Sequence, residues 1–298
     1  MMILKMIKFS GREDILPDRE GGIVMKKALF ILVLLALVAI NCCASDSVTD
    51  VYHGALNELL CNEAEDILLG NISRLNDGYL IDLISLGKLH KESLRLLRNA
   101  IYAKHGHIFE SEELTGYFSR FDWYKPAKTV TYADLSEAER ENIEVIQKFE
   151  RMDENSETIT WGPEKEGVWQ DMFVMAAGWS DRFVIYADNR MEYLFSQMSQ
   201  LQLIKGLAGT YTIRGNVLLF SVSQVDIYEH DGRFGGSGGY GFTWANPKEN
   251  TIYFKNPVIL RFPVSKIYTF NKFGIERLAV EIGGLEFYKM EEDVTRKN

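Results

Sequence analysis

Arg98, Tyr102 and His105 are the residues of this sequence whose types and spacing are best suited to recognising a ligand. They are separated by four and then three residues, so a helix would present them as one stripe. A guanidinium pairs with carboxylates and a tyrosine ring stacks on sugars, and Trp123 and Tyr124 follow nearby. We predict that these five residues form a binding surface. In the alternative interpretation, the same side chains bind loop carbonyls and the helix end, and serve only folding.

The histidines near this stripe are not expected to form a metal site. His105, His107 and Glu110 have side-chain types that bind zinc, and His90 lies upstream. However, Gly106 is expected to end the helix between His105 and His107, so the two imidazoles would not share a helix face as they do in HExxH sites.

A complete catalytic set is also missing from the sequence. We identify no serine in a nucleophile elbow between a strand and a helix, and no phosphate-binding loop of the Walker type. We therefore predict no catalytic residues, no metal and no cofactor. The rival hypothesis is an enzyme in which His105 acts as acid or base with Glu110 or Asp122, and it requires these groups to converge in an open cleft.

The stripe depends on a helix predicted over residues 92–105. Leu94, Leu97 and Ile101 recur at helical spacing and give this helix an apolar face directed at a core. Gly106 supplies the left-handed conformation that commonly follows a helix.

Two more helices are predicted downstream, each from its capping residue. Ser111 can cap a short helix that has Glu112 and Glu113 in its first turn. Ser136 and Glu139 have the spacing of a capping box, so the last helix should begin at Glu137. It should bury Ile143, Ile146 and Phe149. With the less regular helical pattern of residues 50–69, these segments predict an all-α domain over residues 46–152.

This domain resembles a known family on specific residues. Residues 94–109 read LRLLRNAIYAKHGHIF, residues 111–126 read SEELTGYFSRFDWYKP, and the predicted helix of residues 135–150 follows. The three segments resemble the YARHG domain over about residues 72–150, with Lys104 in place of the arginine of the name. The resemblance implies a small extracellular domain that has no assigned catalytic activity.

An apolar leader independently indicates export. Lys26 and Lys27 follow Met25 and precede 13 apolar residues, 28–40, whereas a membrane-spanning helix needs about 20. Residues 25–44 therefore read as a signal peptide. Residues 1–24 show no pattern, and codons for Glu20, Gly21 and Gly22 can form a ribosome-binding sequence. We expect translation to begin at Met25.

The end of the leader leaves three processing outcomes open. Cys42 fits the acylated cysteine of a bacterial lipoprotein, and Cys43 fits about equally well. Ordinary cleavage after Ala44 is the third. We expect a membrane-anchored lipoprotein at the cell envelope or periplasm, and otherwise a secreted protein. The expected partners are a cell-wall or envelope polymer and, through the lipid, the membrane.

Composition excludes several other classes. The chain of 298 residues is 46% hydrophobic, which suits a globular protein with a sizeable core. Its formal net charge of −9 would repel nucleic-acid phosphates, so no nucleic-acid partner is expected. Three cysteines are too few for a disulfide-stapled fold.

The second half of the chain has the pattern of antiparallel strands. A linker over residues 153–166 is followed by a β domain over residues 167–290 and a tail over residues 291–298. Strand-like segments flank tight turns at residues 188–189, 215–216 and 283–284. Such a meander closes best into a barrel or packs as a sandwich.

The segment GTYTIRGNVLLFSV also weakly resembles lipocalin-like barrels. A hollow barrel would suit a small-ligand carrier, whereas a filled one would not. The predicted fold class is therefore α+β, with a small all-α domain followed by an antiparallel β-barrel or β-sandwich.

Overall fold

A computed structural model describes residues 63–76, 80–173, 180–196, 204–229 and 248–290. The predicted extension over residues 1–24, the predicted signal peptide with Cys42 and Cys43, and the predicted C-terminal tail lie outside the described residues. All the described residues belong to one compact unit, residues 50–298.

Helices occupy the first part of the described chain. They are α1 (Glu63–Leu68), α2 (Ser73–Asn76), α3 (Leu83–Lys88), α4 (Lys91–Lys104), α5 (Glu112–Phe118) and α6 (Glu137–Glu150), with short 3-10 turns at Tyr132–Asp134 and Pro163–Lys165. Within this part of the chain, no helix is both long enough and apolar enough to span a bilayer.

The predicted capping residues set the helix bounds. Ser136 Oγ accepts a hydrogen bond from the Glu139 amide, and Glu139 Oε2 accepts one from the Ser136 amide, so α6 begins at Glu137 as expected. Ser111 Oγ accepts from the Leu114 amide at the start of α5. The predicted helix over residues 92–105 is confirmed as α4. The predicted core residues of the two long helices are all buried: Leu94, Leu97, Ile101, Ile143, Ile146 and Phe149.

Among the described residues, nine antiparallel strands form one sheet after the helices. They are β1 (Gly167–Gln170), β2 (Arg182–Ile185), β3 (Arg190–Leu194), β4 (Ile204–Arg214), β5 (Val217–Glu229), β6 (Lys248–Pro263), β7 (Tyr268–Lys272), β8 (Ile275–Ile282) and β9 (Leu285–Lys289). Their order is β6-β5-β4-β3-β2-β1-β9-β8-β7. The predicted α+β class is confirmed.

The sheet is open, so the expectation of a closed barrel, including the lipocalin-like one, is wrong. β1 pairs with both β2 and β9, which leaves β6 and β7 at the two edges. Closure would require these two edge strands to pair along their length. Instead, the end of β6 reaches β8 only through the isolated bridge between Val264 and Ile282.

Tight turns join the strands where the sequence predicts them. The turns at 188–189, 215–216 and 283–284 have positive φ at Asn189, Gly215 and both glycines of the last pair. A fourth tight turn, Phe273–Gly274 between β7 and β8, has positive φ at both residues and was not predicted.

One hydrophobic core runs from the helices into the sheet. Phe262 on β6 lies edge-on to Phe149 on α6, with ring centroids 6.4 Å apart, and also contacts Phe183 on β2. Phe220 and Phe287 are likewise fully buried. The core therefore continues from the helices into the strands, across the predicted boundary near residue 152.

Candidate functional site

The turn after α4 is built around Gly106. Its φ is 75°, and a Cβ at this position would lie 2.6 Å from the carbonyl oxygen of Lys125. The Gly106 carbonyl accepts hydrogen bonds from the amides of Ala127 and Lys128. Only glycine tolerates both the left-handed conformation and this close backbone approach, so Gly106 fixes the following loop against the helix end.

Glu139 at the start of α6 binds the side chains of Lys104 and His105 at the end of α4. Its Oε1 accepts from Lys104 Nζ at 2.7 Å and is hydrogen bonded to His105 Nε2 at 2.8 Å. The Glu139 side chain is only 6% exposed. Burial raises the pKa of this carboxyl, but hydrogen bonds from Lys104, the Ser136 amide and His105 outweigh burial and lower the pKa to about 2. Glu139 is therefore a buried, ionised link between two helices.

Arg98 joins the same two helices one step further along. Its Nε lies 3.2 Å from Oε1 and 3.0 Å from Oε2 of Glu150, and both side chains are largely buried. Lys104 also links α4 to α2, because it donates a hydrogen bond to the Leu75 carbonyl at the end of α2. Two members of the predicted stripe, Arg98 and His105, thus hold α6 through carboxylates.

Tyr102 and Trp123 lie at opposite ends of a row of aromatic rings. The row runs from Tyr102 through His107, Phe109 and Phe118 to Trp123, with successive centroids 5.8, 4.8, 5.3 and 6.1 Å apart. The structure does not bring the two predicted contact residues directly together. They are instead linked through the packed interior of the helical region.

The helical region that contains these motif residues matches the model of a known family. Residues 72–151 match the family model of the YARHG domain. The match spans 80 of the 298 residues (151 − 72 + 1), from the residue before α2 to the residue after α6. No curated protein and no solved structure matches the chain. The YARHG domain typically occurs in exported proteins, which is consistent with an envelope protein.

Tyr124 of the YARHG domain is a core residue. It is 4% exposed, and its hydroxyl donates to the His107 carbonyl at 2.8 Å. Burial raises the pKa of this phenol, and a hydrogen bond with the Phe109 backbone opposes the rise. Trp123 is half-buried and stacks on Phe121 with centroids 5.4 Å apart and planes 8° apart. A ligand could therefore reach only part of the Trp123 ring and none of Tyr124.

Tyr102 is the motif residue whose side chain is least explained by packing. It is half-buried, and its hydroxyl makes no hydrogen bond within the described part of the chain. Its neighbour Tyr132 is 42% exposed and donates to Glu144 Oε1. This hydrogen bond raises the pKa of Tyr132, with a small contribution from nearby Tyr102. We call Tyr102, Tyr132 and the partly exposed His105 the tyrosine patch.

One ring nitrogen of His105 and one of His107 are hydrogen bonded within the protein itself. His105 Nε2 is bound to Glu139, and His107 Nδ1 accepts a hydrogen bond from the Val130 amide at 2.9 Å. Glu110 and Asp122, the carboxylates considered as partners of His105, are both exposed. The described residues contain no group of three or more His, Cys, Asp or Glu that could hold a metal ion.

A cleft of about 430 Å³ lies where the first turn of α4, the end of α6 and the sheet meet. Leu94, Phe149 and Val217 form its apolar lining, and charged groups that include Lys91 and Arg261 surround them. Neither Tyr102 nor Trp123 lines this cleft.

Two residues of the site were missed from sequence. Glu139 was predicted only as a capping residue, because the capping box reports its bond to Ser136 but not its bonds to α4. Tyr132 follows no motif, and only the three-dimensional packing of its loop places it beside Tyr102.

Proposed function

We propose that this protein works in the cell envelope as a non-catalytic binding protein whose YARHG domain contacts a cell-wall or envelope polymer through the tyrosine patch. The observation that carries the proposal is the partly exposed ring of Tyr102 beside exposed Tyr132, with a Tyr102 hydroxyl that bonds to no other described residue. Gly106, Lys104, His105 and Arg98 each have a structural task, whereas Tyr102 presents an aromatic face and a free polar group.

The chemistry of the patch suits a polysaccharide. The apolar face of a sugar ring can pack on a tyrosine ring, and its hydroxyls can bond to phenol, imidazole and carboxylate groups. Asp134 and Glu144 are exposed beside the patch and supply carboxylate acceptors. We therefore favour the glycan of the cell wall as the ligand over its peptide parts.

The test is binding of the purified protein to isolated cell-wall sacculi in a sedimentation assay. Tyr102→Phe removes only the hydroxyl, and Tyr132→Ser removes an exposed ring with its exposed hydrogen bond to Glu144, so both should fold while losing several-fold in affinity. Tyr253→Ser, which changes a 74% exposed tyrosine on β6, is the matched control and should bind like the wild type. Equal binding by all four proteins, or no binding by the wild type, would contradict the proposal.

An envelope enzyme is the competing function, and the His105–Glu139 pair is the observation in its favour. A carboxylate that orients an imidazole resembles part of a catalytic set. However, the imidazole nitrogen bound to Glu139 is unavailable to a substrate, and that carboxylate also serves Lys104. Turnover of cell-wall material that disappears in His105→Gln, with folding retained, would favour the enzyme.

A small-ligand carrier is the third candidate, and the cleft beside α4 is the observation in its favour. Its volume suits a small molecule. The cleft lies between helices and sheet, and the fully buried phenylalanines pack the space where the sheet meets the helices. A ligand that co-purifies with the protein and is lost on substitution of Val217 by a larger residue would favour this function.

A further inference from the structure

Phe273 occupies a backbone position that disfavours it and exposes its ring. Its φ is 56°, and its side chain is 82% exposed at the tip of the β7–β8 hairpin. Among the described residues, the other non-glycine residue with positive φ is Asn189, a type that tolerates this conformation. Neither local backbone preference nor burial in the fold accounts for a phenylalanine here.

The turn itself calls for a different residue. Lys272 and Ile275 pair across it, so Phe273 and Gly274 are the two central residues, both with positive φ. Hairpin turns of this kind favour Asn-Gly because asparagine adopts positive φ at low cost. An outlier kept at such a position points to a function outside the fold.

The tip carries further apolar surface and one flanking cation. Ile275, directly after the turn, is 45% exposed. The Lys272 ammonium lies 5.5 Å from the centroid of the Phe273 ring. An aromatic ring and an aliphatic side chain at a projecting turn, next to a lysine, form the combination that enters the interface of a bilayer.

We propose that the Phe273 hairpin tip inserts into the interfacial region of the lipid bilayer and so gives the folded protein a second membrane contact. The proposal rests on the envelope location stated above. Nineteen residues, 44–62, separate Cys43 from the first described residue, and such a segment spans at most roughly 65 Å. A lipid at Cys42 or Cys43 would therefore hold the start of the folded part within this distance of the membrane surface.

The net charge of the chain determines which kind of lipid surface the protein can bind. The formal net charge is −9, so an anionic bilayer repels the protein as a whole, and Lys272 alone does not compensate. Insertion must therefore depend on burial of Phe273 and Ile275. Binding should be as strong on phosphatidylcholine as on phosphatidylglycerol vesicles or stronger, and salt should not weaken it.

The first experiment measures vesicle binding without the lipid anchor. The protein is the chain from Ser45 onward, the product of cleavage after Ala44, which lacks the apolar leader, Cys42 and Cys43, so binding to phosphatidylcholine vesicles depends on the folded protein. Adding Phe273→Asn should reduce vesicle partitioning roughly tenfold, the effect of losing one buried aromatic side chain. Tyr253→Asn, on the opposite edge strand, should leave partitioning unchanged. Equal partitioning of the two variants would overturn the proposal.

The second experiment locates the tip directly. Phe273→Trp and Tyr253→Trp each add one tryptophan to the five native ones. With vesicles whose acyl chains carry bromine, a quencher confined to the bilayer, emission should fall more for Phe273→Trp than for Tyr253→Trp. Equal quenching of the two variants would show that the tip does not insert into the membrane. Protection of Phe273 by a protein partner alone would lead to the same conclusion. Sacculi contain no bilayer, so failure of cell-wall binding would be seen separately.

Discussion

His105 Nε2 lies 2.8 Å from Glu139 Oε1, although the two residues are 34 positions apart in the chain. The same oxygen accepts from Lys104 at 2.7 Å. Two consecutive side chains at the end of α4 therefore meet one carboxylate at the start of α6, and the YARHG motif acts first as a clamp between these helices.

Removal of the clamp carboxylate should strongly destabilise the protein. Glu139→Ala leaves the largely buried Lys104 ammonium without its partner, and we expect a loss of about 3 kcal/mol in the free energy of unfolding. Glu141→Ala, an exposed position on the same helix, is the control and should change the free energy by less than about 0.5 kcal/mol. Urea unfolding followed by circular dichroism measures both. Similar values for the two variants would show that the clamp is unimportant.

Acid should weaken the clamp in a defined range. The pKa of Glu139 is about 2 in the folded protein, below its ordinary value of 4.5. Its contribution to stability is therefore fully present above about pH 4.5 and is lost as the pH falls toward 2. The difference in free energy of unfolding between wild type and Glu139→Gln should shrink over this range. A difference that is independent of pH would contradict the lowered pKa.

Two glycines of the YARHG domain should respond oppositely to alanine. Gly106→Ala places a Cβ 2.6 Å from a backbone oxygen at positive φ, and we expect a loss of about 2 kcal/mol or more. Gly116→Ala lies in α5 with no atom within 4 Å of the added Cβ, and should stabilise by about 0.5–1 kcal/mol. Thermal unfolding of both variants provides the comparison, and a neutral Gly106→Ala would be inconsistent with the observed turn.

Phe273→Asn should make the isolated protein more stable. Asparagine suits the positive φ at this turn, and the exposed ring loses little packing, so we expect a gain of up to about 1 kcal/mol. The measurement is the urea midpoint of the protein without vesicles. A clear loss of stability would mean that the ring serves the fold, and would remove the argument for a contact outside it.

The mature N-terminus should carry lipid. Mass spectrometry of the processed protein should find a diacylglyceryl group on Cys42 or, if the adjacent cysteine is used, on Cys43. Alanine at both positions should abolish this modification. An unmodified N-terminus at Ser45 would establish ordinary cleavage after Ala44 instead.

The sequence by itself determined the local elements of this protein. Leu94, Leu97 and Ile101 gave α4 its buried face, and the bonds between Ser136 and Glu139 set the start of α6. The turns that use Asn189 and Gly215 were equally readable. These features depend on residues within a few positions of one another, so backbone preference and short-range hydrogen bonding suffice to specify them. The apolar leader and the family motif were readable for the same reason.

Only the tertiary structure decided which of these elements meet. β1 pairs with β9, more than a hundred residues further along the chain, and the sheet is open because the edge strands β6 and β7 do not pair with each other. Tyr124 is buried, with its hydroxyl bonded to the His107 carbonyl. Glu139 gains two partners that its capping box does not reveal. Such contacts depend on packing between distant segments, where side-chain shape and desolvation select the partner, and spacing along the chain carries no information about them.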